Sequence, residues 1–247
     1  MEGFIISRKG SKKPANEDSY NFTKSKDGGV DFFVLADGMG GYQSGDLAGR
    51  LATEEIAALA KAYTYESIPQ LEKFCDMAIM QADRRVRLAA AEAAGAEKMG
   101  TTVVIAAIVN KENCCVFANA GDSRGYVFSG GLLSQVTHDH SIEQLMRDKG
   151  YTDEEISKYL KVNAVTRALG YLDEDTRGEC RNTCLSEGDI IILCTDGLSR
   201  GLENDEIASV LAENYNEAPE NLCRSLADMA AKAGSLDDIT VFVGYNR

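Results

Sequence analysis

The sequence lacks the features that mark secreted, membrane-spanning or nucleic-acid-binding chains. Its longest clean apolar run, residues 103–109, is far too short to cross a bilayer. Residues 1–11 have no apolar core of signal length, so no secretory leader is expected. Basic residues are in deficit, and a net charge of -13 argues against a nucleic-acid surface, whose footprint is basic. There are only three prolines, and no repeat, low-complexity tract or linker composition interrupts the 247 residues. A single domain over residues 1–247 is expected. None of the seven cysteines forms a Cys-x-x-Cys pair, and a chain of this size needs no disulfide staples. Reduced thiols and a cytoplasmic location are the expectation. Cys180 and Cys184 share one strand region and read as structural, while Cys114 and Cys115 are strand neighbours that face opposite sides.

What is present is an ordinary globular composition, 44% hydrophobic and 26% charged. Apolar and alternating runs predict strands at 4–7, 19–23, 32–36, 102–109, 115–120, 126–128, 132–136, 177–184, 189–194 and 239–245. Gly130-Gly131 sits between two of these and reads as a tight hairpin. Helical periodicity predicts a helix capped by Ser44 through Leu47, Leu51, Ile56 and Leu59, and a long one over 68–94. Further helices fall at 141–149, 153–160, 205–212 and 219–233, with Asn204 as an N-cap and Pro219 in a first turn. Strands come in groups with hairpin-length gaps, and helices come in pairs between the groups. That order favours an α+β fold with antiparallel sheets over strict βαβ alternation.

The chemistry is concentrated in acidic residues at strand ends. Asp37-Gly38-Met39-Gly40-Gly41 follows the apolar run Phe32-Phe33-Val34-Leu35-Ala36. A carboxylate there is held rigidly at the edge of a core, and the glycine lets a backbone carbonyl approach a ligand. Glu17-Asp18 opens a strand, Asp196-Gly197 follows Ile190–Cys194 and Thr195, and Asp237-Asp238 precedes Ile239. Isolated buried carboxylates are unfavourable. Several that converge are tolerable when cations neutralise them, and hard divalent ions want such oxygens. Two ions in such a site would lie ~3.5–4 Å apart, with a water between them acidified into a nucleophile.

With these motifs in order, the chain resembles the type-2C, metal-dependent Ser/Thr protein phosphatases, in particular their bacterial branch. The likeness rests on Asn16-Glu17-Asp18, Val34–Gly41, Gly100-Thr101-Thr102 and Asn119-Ala120-Gly121-Asp122-Ser123-Arg124. It continues through Asp139-His140-Ser141, Thr166–Gly170, Cys194–Leu198 and Asp237–Val241. The resemblance implies a four-layer α-β-β-α sandwich of two antiparallel sheets flanked by helices, with metals at one sheet edge. It implies that Asp37 bridges two Mn²⁺ or Mg²⁺ ions, that the Gly38 carbonyl binds one, and that Asp196 and Asp237 ligate the other. Glu17 and Asp18 would act through coordinated waters, and Asp122 would help hold a weak third ion. Asp238 takes a position that is Asn in the family, which adds a negative charge nearby. The substrates implied are phosphorylated proteins, opposite a Ser/Thr kinase, with the chain acting as a monomer.

Three positions depart from the family pattern. Lys13, or Lys12 one position away, stands where an Arg grips the substrate phosphate, and a lysine offers only a point charge. Arg200 stands where a third-metal Asp is common, and either weakens that site, replaces its ion or points to solvent. Met39 stands where animal relatives carry a His, and cannot donate a proton; His140 reads as structural. Residues 137–167 are expected to form a flap whose charges, Arg147, Lys149, Lys158 and Lys161, face outward. The rival readings are a phosphoprotein-binding scaffold without catalysis, supported only by Lys13 and Arg200, and a small-molecule phosphatase or nuclease.

Overall fold

The computed structural model describes residues 2–40, 44–92, 99–159, 164–170 and 176–246. In chain order the first half holds β1 (Glu2–Arg8), β2 (Asp18–Lys24), β3 (Val30–Met39), α1 (Ser44–Ala62), α2 (Ile68–Glu92), β4 (Gly100–Thr101) and β5 (Val103–Val109). Next come β6 (Cys114–Ala120), β7 (Arg124–Ser129), β8 (Leu132–Gln135), α3 (Ile142–Asp148) and α4 (Asp153–Ile156). The chain finishes with β9 (Glu179–Cys184), β10 (Ile190–Cys194), α5 (Asp196–Ser199), α6 (Asn204–Glu213), α7 (Pro219–Lys232) and β11 (Ile239–Tyr245).

The strands form two antiparallel sheets, ordered β1-β11-β10-β7-β8 and β2-β3-β5-β6-β9, with β4 paired to β3. Alternate side chains of the central strands feed different layers. Phe32 and Val34 of β3 pack under α1 and α2, together with Ile105, Ile56 and Leu71. Phe33 and Leu35 of the same strand meet Leu193, Ile191 and Phe242 between the sheets. The outer face of the β1-β11-β10-β7-β8 sheet, with Ile190 and Ile192, packs on Leu211, Leu222 and Leu226 of α6 and α7. Helices therefore cover both outer faces, giving the expected α-β-β-α order. Because both faces of β3, β5 and β10 are buried, those strands read as unbroken apolar runs although the sheets are antiparallel.

Most predicted elements are present, with instructive shifts. Strand β3 does not stop at Ala36 but continues through Asp37 to Met39, because Gly38 and Met39 pair with Thr101 and Gly100 of β4. Asn204 is the first residue of α6 and not its cap; the chain turns at Glu203, whose N–H donates to the Glu206 carboxylate at 2.8 Å. Ser141 does cap α3, accepting from the Gln144 N–H. Gly130 and Gly131 make the β7–β8 hairpin with φ of +57° and +87°, which glycine adopts without strain. The predicted helix over 153–160 ends at Ile156, with Ser157 as its C-cap; the predicted end of α2 at residues 93–94, with Gly41 and Lys161, lies outside the described residues. Among the described residues no helix is long and apolar enough to cross a membrane.

Candidate metal centre and active site

The acidic residues meet at the edge where the two sheets come together. Asp18 and Asp37 are direct cross-strand partners of β2 and β3. Asp18 is also tied to the other sheet, because its Oδ2 accepts from Thr195 Oγ1 at 2.9 Å and from Thr240 Oγ1 at 2.7 Å. These threonines follow β10 and open β11, and their backbones are paired, so Asp196 and Asp237 are carried to the same edge. Thr195 and Thr240 fall within the motifs that carry the family likeness, but neither was assigned a role from the sequence. A polar residue against each of two otherwise apolar strands was the signal available.

Asp37 is fixed through its backbone. Its N–H donates to Thr102 Oγ1 at 3.1 Å, while its carbonyl accepts from Thr101 Oγ1 and from the Thr102 N–H, each at 2.9 Å. Thr102 Oγ1 in turn meets Ser123 Oγ at 2.8 Å. The Gly-Thr-Thr and Gly-Asp-Ser segments thus anchor the strand that carries Asp37. Gly38 has no room for a side chain, since a Cβ there would run into the Gly45 and Glu17 carbonyls. Its backbone is consequently packed against the start of α1 and against Glu17.

Asp238 is fully buried and holds the turn behind the site. One of its oxygens accepts from the Gly10 N–H at 2.7 Å and the other from the Glu17 N–H at 2.8 Å. The added charge is therefore committed to backbone donors, which leaves Asp237 as the outward carboxylate of the pair. Lys13, and not Lys12, reaches the cluster, at 2.8 Å from Asp237 Oδ1 and 3.2 Å from Glu17 Oε2. Arg200 spans Asp122 Oδ2 and Asp196 Oδ2, each at 2.8 Å. Of the three readings of Arg200, the one that points it to solvent does not hold.

The electrostatics are those of a basin of crowded acids. Burial first, then the charges of Asp196 and Asp18, push Asp37 well above the ordinary carboxyl range. Burial pushes Asp18 from 3.8 up to about 7, outweighing the hydrogen bonds from Thr240 and Thr195. Asp122 rises to about 6 through burial and then Asp196. Burial opposes the Lys13 ammonium, but its contacts with Asp237 and Glu17 outweigh that and raise it above the usual lysine range.

Among the described residues, no three His, Cys, Asp or Glu side chains already close on a single point at ion-holding distance. The oxygens available to an ion are nonetheless specific. Glu17 Oε1, Asp18 Oδ1 and Asp196 Oδ1 are buried and accept no hydrogen bond from the described residues. Orphaned buried carboxylate oxygens are strongly unfavourable, and hard cations satisfy them. The orphaned oxygens of Glu17, Asp18 and Asp196 therefore fit a divalent ion, and Asp37 stands beside them as the cross-strand partner of Asp18. At Asp122 the fit is poor, because Arg200 already takes that carboxylate.

Both histidines are engaged elsewhere. His138 Nε2 lies 2.8 Å from Asp148 on the flap. His140 Nδ1 accepts from the Gly121 N–H at 3.2 Å, so its Nε2 carries the proton and donates to Glu179 at 3.1 Å. Burial, and then Arg167, lower its pKa. His140 is structural, as its motif suggested, and it shapes the loop that carries Asp122. The flap itself is anchored where Thr166 N–H donates to the His140 carbonyl and Ile142 N–H to Ala164. Between flap and carboxylates lies a polar groove of about 640 Å³, lined by Asp122, Asp196 and Arg200 on one side and Glu143 and Arg147 on the other. Two of the flap cations are internally paired, Arg147 with Glu143 and Lys158 with Glu154.

An α-β-β-α sandwich with a buried carboxylate basin at its sheet edge is the framework of a metal-dependent phosphatase. Residues 7–239 match the family model described as Protein phosphatase 2C, and the chain belongs to that family. It is 30% identical over 237 residues to a serine/threonine phosphatase stp of Listeria welshimeri, covering 92% of this chain and 89% of that protein. It is 27% identical over 242 residues to the protein phosphatase PhpP of Streptococcus pneumoniae, covering 98% and 96%. Among solved structures, the serine/threonine phosphatase Stp1 of Staphylococcus aureus superposes with a TM-score of 0.89 at 26% identity, covering 99% of this chain and 94% of that one.

Proposed function

We propose that the whole chain is one cytoplasmic phosphatase domain that hydrolyses phosphoserine and phosphothreonine on proteins with two Mn²⁺ or Mg²⁺ ions. Asp37, the Gly38 carbonyl, Asp196 and Asp237 would hold the ions, with Asp37 as the ligand they would share. Glu17 and Asp18 would lie beside the ions and hold them through water. When bound, the ions acidify a water and neutralise the charge of the phosphoryl group. The observation that carries this reading is the set of buried, orphaned oxygens on Glu17, Asp18 and Asp196. Its physiological opposite is a Ser/Thr kinase. Hydrolysis of a phosphopeptide and of p-nitrophenyl phosphate with Mn²⁺, against an EDTA control, tests it. If neither substrate turns over with Mn²⁺, the phosphoprotein-binding scaffold takes its place.

Lys13 supplies the positive charge facing the substrate phosphate, and it also competes with ions for Asp237 and Glu17. Its removal therefore has two effects of opposite sign. Lys13→Ala protein is expected to raise KM for phosphopeptide while binding Mn²⁺ more tightly. Each change is about fivefold, on the scale of about 1 kcal/mol for a partly exposed ion pair. Calorimetric Mn²⁺ titration beside steady-state kinetics separates the two.

Arg200 acts as a built-in cation at Asp122, so ion binding stops at two per chain. Arg200→Asp removes the guanidinium and adds a carboxylate beside Asp122 and Asp196. Equilibrium dialysis against Mn²⁺ is expected to show one additional ion bound per chain. An unchanged stoichiometry would assign Asp122 no part in ion binding.

A further inference from the structure

Two cysteines far apart in sequence are direct neighbours on the helix-covered sheet. Cys114 opens β6 and Cys184 closes β9, and the register of the antiparallel pair sets them opposite each other. The Leu185 N–H donates to the Asn113 carbonyl at 2.7 Å, one residue beyond the pair on each strand. That bond makes Cys114 and Cys184 a non-hydrogen-bonded pair, whose Cα atoms lie about 4.5 Å apart with side chains on one face. A disulfide accepts Cα separations of ~4.4–6.8 Å, so this pair can close with little backbone movement. The two thiols also differ in access. Cys184 is exposed on edge strand β9, whereas Cys114 is buried behind it.

We propose that Cys114 and Cys184 form an oxidisable dithiol, a modification site that hydroperoxides close into a cross-strand disulfide. The exposed Cys184 sulfur attacks the peroxide, the O–O bond breaks, and Cys184 becomes a sulfenic acid as an alcohol or water leaves. Cys114 sulfur then attacks Cys184 sulfur, the S–S bond forms, the S–O bond breaks, and a second water departs with the Cys114 proton. The two thiols give up two electrons and the peroxide takes them.

The other cysteines are poorly placed for this reaction. Cys75, Cys115, Cys194 and Cys223 are buried. Cys180 is four residues from Cys184 along β9, about 13 Å away, and its Sγ donates to the Glu72 carbonyl at 3.4 Å. The far end of β9 carries Glu179, whose carboxylate accepts the hydrogen bond from His140 Nε2. Stapling β9 to β6 thereby fixes the strand on which the flap anchor sits.

The test uses the full chain, reduced and then exposed to hydrogen peroxide. Free thiols counted after denaturation are expected to fall from seven to five, and peptide mapping without reductant is expected to show a Cys114–Cys184 link. The melting temperature should rise by roughly 5–10 °C and return with dithiothreitol. Cys114→Ser protein should instead leave a Cys184 sulfenic acid that dimedone traps, and Cys180→Ser should behave as wild type. Retention of all seven thiols, a mapped Cys75–Cys180 link, or a covalent dimer through Cys184 would each overturn the proposal.

Discussion

Asp37→Asn protein is expected to lose kcat on the order of 10²–10³-fold toward a phosphopeptide, the scale for removing one preorganised electrostatic group. The same protein should fold, and in EDTA it should melt higher than wild type. Asp37 is forced well above the ordinary carboxyl range by burial and by the charges of Asp196 and Asp18, so its ionised form works against the fold. An amide of equal size removes that repulsion while its backbone anchors to Thr101 and Thr102 stay intact. Function and stability should therefore move in opposite directions at this position. Steady-state kinetics with a melt in EDTA check both. Wild-type activity in the Asn variant would exclude Asp37 as the shared ligand.

Metal-free protein is expected to become less stable as pH rises from about 5 to 8, and Mn²⁺ should reverse this. Asp18 titrates at about 7 in the fold against an ordinary 3.8, and Asp122 at about 6. Between those values the folded chain holds protons that the unfolded chain has released. Stability is thus fully present below about 4 and is lost as pH climbs through 6 and 7. One pKa unit corresponds to about 1.4 kcal/mol, so between about pH 5 and 7 these two groups lower stability on the order of 3–5 kcal/mol. Bound Mn²⁺ replaces the protons as counter-charge, so the melting increment on adding Mn²⁺ should be larger at pH 7.5 than at pH 5.5. An increment independent of pH would mean that the ions bind elsewhere. Melting curves at the two pH values, with Mn²⁺ and with EDTA, decide it.

The α+β class with antiparallel sheets was legible in the grouping of strands and paired helices, whereas the four layers followed only from the family resemblance. Strand ends were less legible. Nothing local says that β3 runs on through Asp37, since its partner there, Gly100–Thr101, lies about sixty residues away. The cap of α6 was misplaced by one residue for a similar reason. Asn204 has the better intrinsic cap chemistry, but the Glu206 carboxylate reaches back to Glu203 instead.

The sequence by itself determined which carboxylates exist, their order, and the glycines that let backbone approach them. It also marked Lys13, Met39 and Arg200 as departures. Only the tertiary structure decided what Lys13 and Arg200 contact. Lys13 lies between Glu17 and Asp237, Arg200 bridges Asp122 and Asp196, and Asp238 turns inward to two backbone donors. The reason is geometric. A side chain's charge is read from one position, but the partner that neutralises it comes from another strand, and only the packing of the two sheets brings them together.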